Sequence, residues 1–200
     1  METVIGIDLD NTIISFDRIL HASASELGLV GRGIPVRKDA VKQAILERHG
    51  DRVWHHIQKI AYGLRMEEAR LIRGAVPFIS ECLRSGIRVY IISHKAELVE
   101  VNGVRINLRN KAMQFLKKRF IIGSETDRLN EQNIFFEPTR ADKLARIAKL
   151  RCTHFIDDLE DVFREDGFPE TVTKILLGHT TDSSWMTCPT WGKVSQYFFG

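Results

Sequence analysis

The chain has 200 residues, 44% of them hydrophobic, which suits one compact globular unit with room for a modest second lobe. Its 29 basic and 26 acidic residues leave a formal charge of +3, a mild balance that suits anionic ligands and gives no ground for a nucleic-acid partner. No apolar run approaches the roughly 20 residues that span a bilayer, and "METVIGID" lacks the basic and apolar regions of a secretory leader, so the expectation is a cytoplasmic protein with no membrane partner.

The predicted elements begin with "TVIGI" (3–7), a short β-branched run that reads as a buried strand. Residues 17–74 then carry three helix-like segments, "FDRILHASASELGL", "KDAVKQAILERHG" and "DRVWHHIQKIAYGL", an insertion that forms a candidate lid. A helix is expected at 78–86 and strands at 88–92, 134–136, 153–156 and 173–177, with further helices at 139–150 and 159–165. This alternation predicts an α/β fold with a parallel sheet flanked by helices. "VEVNGVRI" (99–106) places Asn-Gly between alternating apolar residues, the signal of a hairpin with a type I′ turn. The tail at 183–200 concentrates Trp185, Trp191, Tyr197, Phe198 and Phe199 and reads as a closing segment docked on the core.

The chemistry gathers at strand ends. Asp8 and Asp10 are two apart where the first strand stops, and carboxylates so placed repel each other unless a proton or a cation lies between them. Mg²⁺ prefers oxygen ligands from one or two carboxylates together with water and phosphate. Taken alone, "DLDNT" is ordinary turn chemistry. Three more ends add suitable groups: Ser93 after "RVYII", Lys143 near the first turn of a helix capped by Thr139, and Asp157, Asp158 and Asp161 after "THFI". A helix dipole accounts for one such acid but not for three. As a set they point to one crevice at the carboxyl ends of parallel strands.

These motifs, "DLDNT" at 8–12, Ser93 in "IISHK", Lys143 in "RADKL" and "IDDLED" at 156–161, resemble in type and order those of the haloacid dehalogenase superfamily, phosphohydrolase branch. The resemblance implies a three-layer Rossmann-like parallel sheet formed by residues 1–16 and 75–200, with residues 17–74 as a small helical cap. It further implies an Mg²⁺-dependent phosphatase of a small phosphorylated metabolite, a sugar phosphate or nucleotide. In that scheme Asp8 is the nucleophile that forms an aspartyl-phosphate, and Asp10 is the general acid and base. Thr12, Ser93 and Lys143 bind the phosphoryl group, and the metal is held by the Asp8 side chain, the Asp10 backbone carbonyl and Asp157, with Asp158 or Asp161 in support. A halide leaves without a proton, so the second acid, Asp10, favours ester cleavage over dehalogenation. A phosphomutase and a non-catalytic module that binds phosphorylated ligands are the alternatives.

Residues 13–75 hold 11 Lys or Arg against 7 Asp or Glu, so the insertion is more basic than the chain as a whole. Arg105, Asn107 and Arg109, in or after the hairpin, are candidate ligand contacts, with decoration of the rim as the plainer reading. The adjacent His55 and His56 diverge by about 100° on a helix and form no chelate. Cys82, Cys152 and Cys188 show no CxxC spacing and read as buried free thiols. The sequence does not fix the oligomeric state.

Overall fold

A computed structural model describes residues 2–119, 121–180, 182 and 184–200. In chain order the strands and α-helices are β1 (Val4–Ile7), β2 (Ile14–Ser15), α1 (Asp17–Glu26), α2 (Lys38–His49), α3 (Asp51–Lys59), β3 (Arg70–Leu71), α4 (Ala75–Arg84), β4 (Arg88–His94), β5 (Leu98–Val101), β6 (Val104–Asn107), α5 (Leu108–Lys118), β7 (Ile134–Glu137), α6 (Arg140–Lys149), β8 (His154–Asp157), α7 (Glu160–Phe163), β9 (Thr173–Leu177), β10 (Met186–Cys188) and α8 (Trp191–Phe199). The chain divides into two compact units.

The first unit comprises Met1–Ile13, Leu71–Ala96 and Leu116–Gly200. Its sheet has six strands in the order β10-β9-β8-β1-β4-β7, and every neighbouring pair is parallel. β1 is buried at all four positions, as a central strand covered on both faces must be. Because side chains alternate along a strand, neighbours in β8 serve opposite faces. Phe155 packs in a cluster with Leu144 and Ile147 of α6 and Val162 and Phe163 of α7. His154 meets Phe198 of α8 at 5.0 Å, and Phe78 of α4 meets Trp191 at 5.1 Å. Helices thus cover both faces, as the α/β reading predicted, and each large apolar side chain buried between helix and sheet contributes about 1.5–3 kcal/mol.

The tail contributes more than a docked segment. Met186–Cys188 pairs with β9 as a sixth parallel strand, and α8 follows, capped by the Thr190 hydroxyl. Three residues without a β-branched pair carry little strand signal, so β10 is visible only once β9 offers it an edge.

The second unit comprises Ile14–Arg70 and Glu97–Phe115. The three expected helices form, and α3 runs on into a π-helical turn at Ile60–Leu64. The β5–β6 hairpin has Val101 opposite Val104, with Asn102 and Gly103 at φ 52° and 76°, the paired positive values that a type I′ turn requires. Sequence reading groups this hairpin with residues 75–200. Its contacts group it with the helical insertion, because Val101, Ile106 and Leu108 form a buried cluster against Ile60 and Tyr62.

Candidate active site

The site residues lie at the carboxyl rim of the six-stranded sheet, within the first unit. The register sets Ile7 of β1 opposite Ile91 of β4 and Ile156 of β8, so Asp8, Ser93 and Asp157 emerge together one or two residues further on. Asp8 N donates to the Ile156 carbonyl at 2.9 Å, which ties the first acid to the strand that carries the second. The chain then turns through Asn11 at φ 65°, a left-handed conformation that Asn tolerates better than most residues.

Lys143 is the centre of the charge arrangement. Thr139 caps α6, its hydroxyl accepting from Asp142 N at 3.1 Å, and Lys143 follows one turn later with only 3% of its surface exposed. Its Nζ donates to Asp8 Oδ1 at 2.6 Å and to Asp157 Oδ2 at 2.7 Å. The other oxygen of Asp157 accepts from Leu159 N at 2.9 Å. The Thr12 hydroxyl donates to Asp158 Oδ1 at 3.3 Å, and the Thr12 carbonyl accepts from the Trp191 indole at 2.9 Å, so the motif loop is fixed from both sides. Ser93 is buried at the same rim.

Burial pushes the Asp8 carboxyl up to about 6; Lys143 pulls against this, while Asp157 and Asp10 add to the push. Burial also raises Asp157, again opposed by Lys143 and reinforced by Asp158. Burial alone would lower Lys143, but Asp157 and Asp8 hold its ammonium above the ordinary lysine range. Asp8, Asp157 and Asp158 outnumber the Lys143 ammonium, and this negative surplus adds to the larger effect of burial on the two acids.

That surplus is the test of whether the site suits a metal, and it does. Asp8, Asp157 and Asp158 each present one oxygen within 4.8 Å of the others, the only such group among the described residues. Clustered carboxylate oxygens with surplus negative charge are the donor set of a hard divalent cation. Of the two acids offered in support, Asp158 joins this group. Asp161 is instead exposed on the first turn of α7 and lines a surface cleft with Arg140 and Arg164. The side chain of Asp10 also lies outside the acid group, so a metal role for this residue rests on its backbone carbonyl alone.

Asp10 has a partner that sequence reading did not single out. Lys95, directly after β4, is 4% exposed, and its Nζ lies 2.6 Å from Asp10 Oδ2. Asp10 Oδ1 is buried with no hydrogen-bond partner. Arg105 and Asn107 lie in the second unit, where they line a cavity of about 380 Å³ with Gly63 and Lys111.

No family model matches the chain, and no curated protein matches its sequence. Solved structures do. A haloacid dehalogenase-like hydrolase from Streptococcus pneumoniae is 17% identical with a TM-score of 0.57, covering 98% of each chain. A haloacid dehalogenase family hydrolase from Deinococcus radiodurans, solved with bound phosphate and sodium, is 14% identical with a TM-score of 0.60, covering 98% of this chain and 95% of that one. Protein Tyrosine Kinase A of Mycobacterium tuberculosis is 16% identical with a TM-score of 0.65, covering 100% of this chain and 99% of that one. At such identities what is shared is the architecture, and the protein has the haloacid dehalogenase-like fold.

Proposed function

We propose that the protein is a Mg²⁺-dependent phosphatase that hydrolyses a small phosphorylated metabolite through an aspartyl-phosphate. The observation that carries this reading is the cluster of Asp8, Asp157 and half-buried Asp158, the first two held by Lys143, with Asp10 two residues from Asp8. The bound phosphate in the Deinococcus radiodurans structure supports the same substrate class.

In this mechanism one oxygen of Asp8 attacks phosphorus while the ester oxygen departs, taking a proton from Asp10. Water then attacks the aspartyl-phosphate, returning a proton to Asp10 and freeing Asp8 and phosphate. Lys143 offsets charge on the phosphoryl oxygens and the Ser93 hydroxyl supplies a hydrogen bond, with a second from the Thr12 hydroxyl once it releases Asp158 Oδ1. Asp8, Asp157 and the Asp10 carbonyl, with Asp158 in support, would hold Mg²⁺, whose chemistry here is to neutralise charge on the transferring group. A cytoplasmic location and selection of anionic substrates by the net-basic insertion belong to the same proposal. Among the described residues no helix is long and apolar enough to cross a membrane.

The test is a panel of phosphorylated metabolites with free phosphate as the readout, with Mg²⁺ and with a chelator. Turnover is expected only with the metal, and Asp8→Asn should abolish it. That variant should fold, because burial already disfavours the Asp8 charge. Unchanged turnover in Asp8→Asn would remove the nucleophile assignment. Phosphate appearing on a second hydroxyl instead of in solution would favour a phosphomutase, and binding without release a non-catalytic module.

A further inference from the structure

We propose that Lys95 is a positioning residue for Asp10: it pins one carboxylate oxygen and leaves the other as the single oxygen that exchanges a proton with the leaving group and then with water. The inference rests on the phosphatase reading above and extends it to a residue with no part in that scheme.

Two independent observations meet at Asp10. Its Oδ2 is held by the Lys95 ammonium at 2.6 Å, a short charge-assisted bond. Its Oδ1 is buried and has no hydrogen-bond partner. A buried polar atom left without a partner is rare enough to require a reason, and a catalytic role is one of the recognised reasons. The terminal torsion of an aspartate is broad and nearly two-fold, so an unrestrained carboxylate would present either oxygen over a range of directions. A strong bond to one oxygen removes that freedom and fixes the direction of the other.

Lys95 is itself firmly placed. Its backbone N–H donates to the Glu137 carbonyl at 2.9 Å, which carries the pairing of β4 with β7 one residue past the end of the strand. Its side chain is 2% exposed, so the ammonium does not wander into solvent. Nor does it duplicate Lys143, which is committed to Asp8 and Asp157. Two buried ammonium groups thus divide the work, one on the phosphoryl side and one on the proton-transfer side. In the first step the proton on Oδ1 passes to the departing ester oxygen as the Asp8–phosphorus bond forms. In the second, water loses a proton to Oδ1 as it bonds to phosphorus and the Asp8–phosphorus bond breaks. Lys95 takes no part in either transfer.

The test is a double-mutant cycle on kcat and KM with p-nitrophenyl phosphate and phenyl phosphate, using wild type, K95M, D10N and K95M/D10N, each checked by urea unfolding. If Lys95 acts through Asp10, K95M lowers kcat by roughly 10- to 100-fold with little change in KM. Its loss is larger for phenyl phosphate, whose poorer leaving group needs the proton more. In the D10N background, K95M costs nothing further. The comparison of D10N with K95M/D10N stands even if K95M alone fails to fold, because the double variant removes both members of the ion pair. Losses that multiply, or a K95M penalty equal for both esters, would overturn the proposal while leaving the phosphatase reading intact. A wild type that hydrolyses neither these esters nor any phosphorylated metabolite of the panel would overturn both.

Discussion

Phe155 leaves no room for a side chain at position 6. A Cβ on Gly6 would lie 2.6 Å from Phe155 Cδ2 and 3.1 Å from Cys152 Sγ, and Phe155 is itself locked among Leu144, Val162 and Phe168. Gly6→Ala should therefore cost about 1–3 kcal/mol through overpacking. A lowered urea midpoint with unchanged slope would register it, and a midpoint equal to wild type would show that Phe155 yields freely. Residues of this kind mark the limit of the sequence. Asp8 and Asp10 are legible because two acids after an apolar run create a problem that needs a solution. Lys95 is not, because "SHK" after a strand reads as a solvent-facing turn, and its carboxylate partner lies 85 positions away. The choice between Asp158 and Asp161 is equally hidden: it depends on where β8 stops and α7 begins, within one acidic run. The three cysteines were readable as buried thiols, and burial pushes Cys82 and Cys152 up to about 12, well away from reactive thiolate.

Helix α6 shows how an element delivers a charge. Its cap fixes where the helix starts, and that start decides whether the fourth helical residue, Lys143, reaches Asp8 and Asp157. The Thr139 hydroxyl both accepts from Asp142 N and donates to Asp142 Oδ2 at 2.6 Å. Thr139→Ala should cost about 1 kcal/mol of stability. It should also lower kcat, because a frayed first turn loosens the ammonium that the proposed mechanism sets against the phosphoryl oxygens. Loss of stability with kcat untouched would show that Asp8 and Asp157 hold Lys143 without help from the cap. The cap was legible because Thr followed by a helical period is a local signal. The strand β10 was not, since "MTC" becomes a strand only by pairing with β9.

Across the whole molecule, five of the six sheet strands were visible as β-branched runs, and their parallel pairing followed from the helices between them. What no local pattern supplies is the mutual support of distant surfaces. His154, for instance, is wedged against Phe198 of α8, with the Tyr197 hydroxyl 3.4 Å from its Nε2. Burial lowers this imidazole below its ordinary 6.5, so the unfolded chain binds a proton that the folded one refuses. Its contribution to stability is present above 6.5 and is lost as pH falls through that value and below. Between about pH 7 and about pH 5 the wild type should lose stability that His154→Gln does not lose, so the variant's pH profile is flatter. Because burial lowers His94 in the same way, some slope should remain. Parallel profiles for the two proteins would assign the acid sensitivity elsewhere. The hairpin has a consequence of a different kind, for anyone exchanging modules between proteins of this architecture. Four backbone crossings join the two units, because the smaller one is encoded in two separate stretches, Ile14–Arg70 and Glu97–Phe115. A graft carrying only the first stretch would leave Ile60 and Tyr62 without the apolar side chains packed against them, Val101 and Ile106 of the hairpin and Leu108 of α5. The two stretches form a single cassette, and a transplant that keeps the recipient soluble must move both.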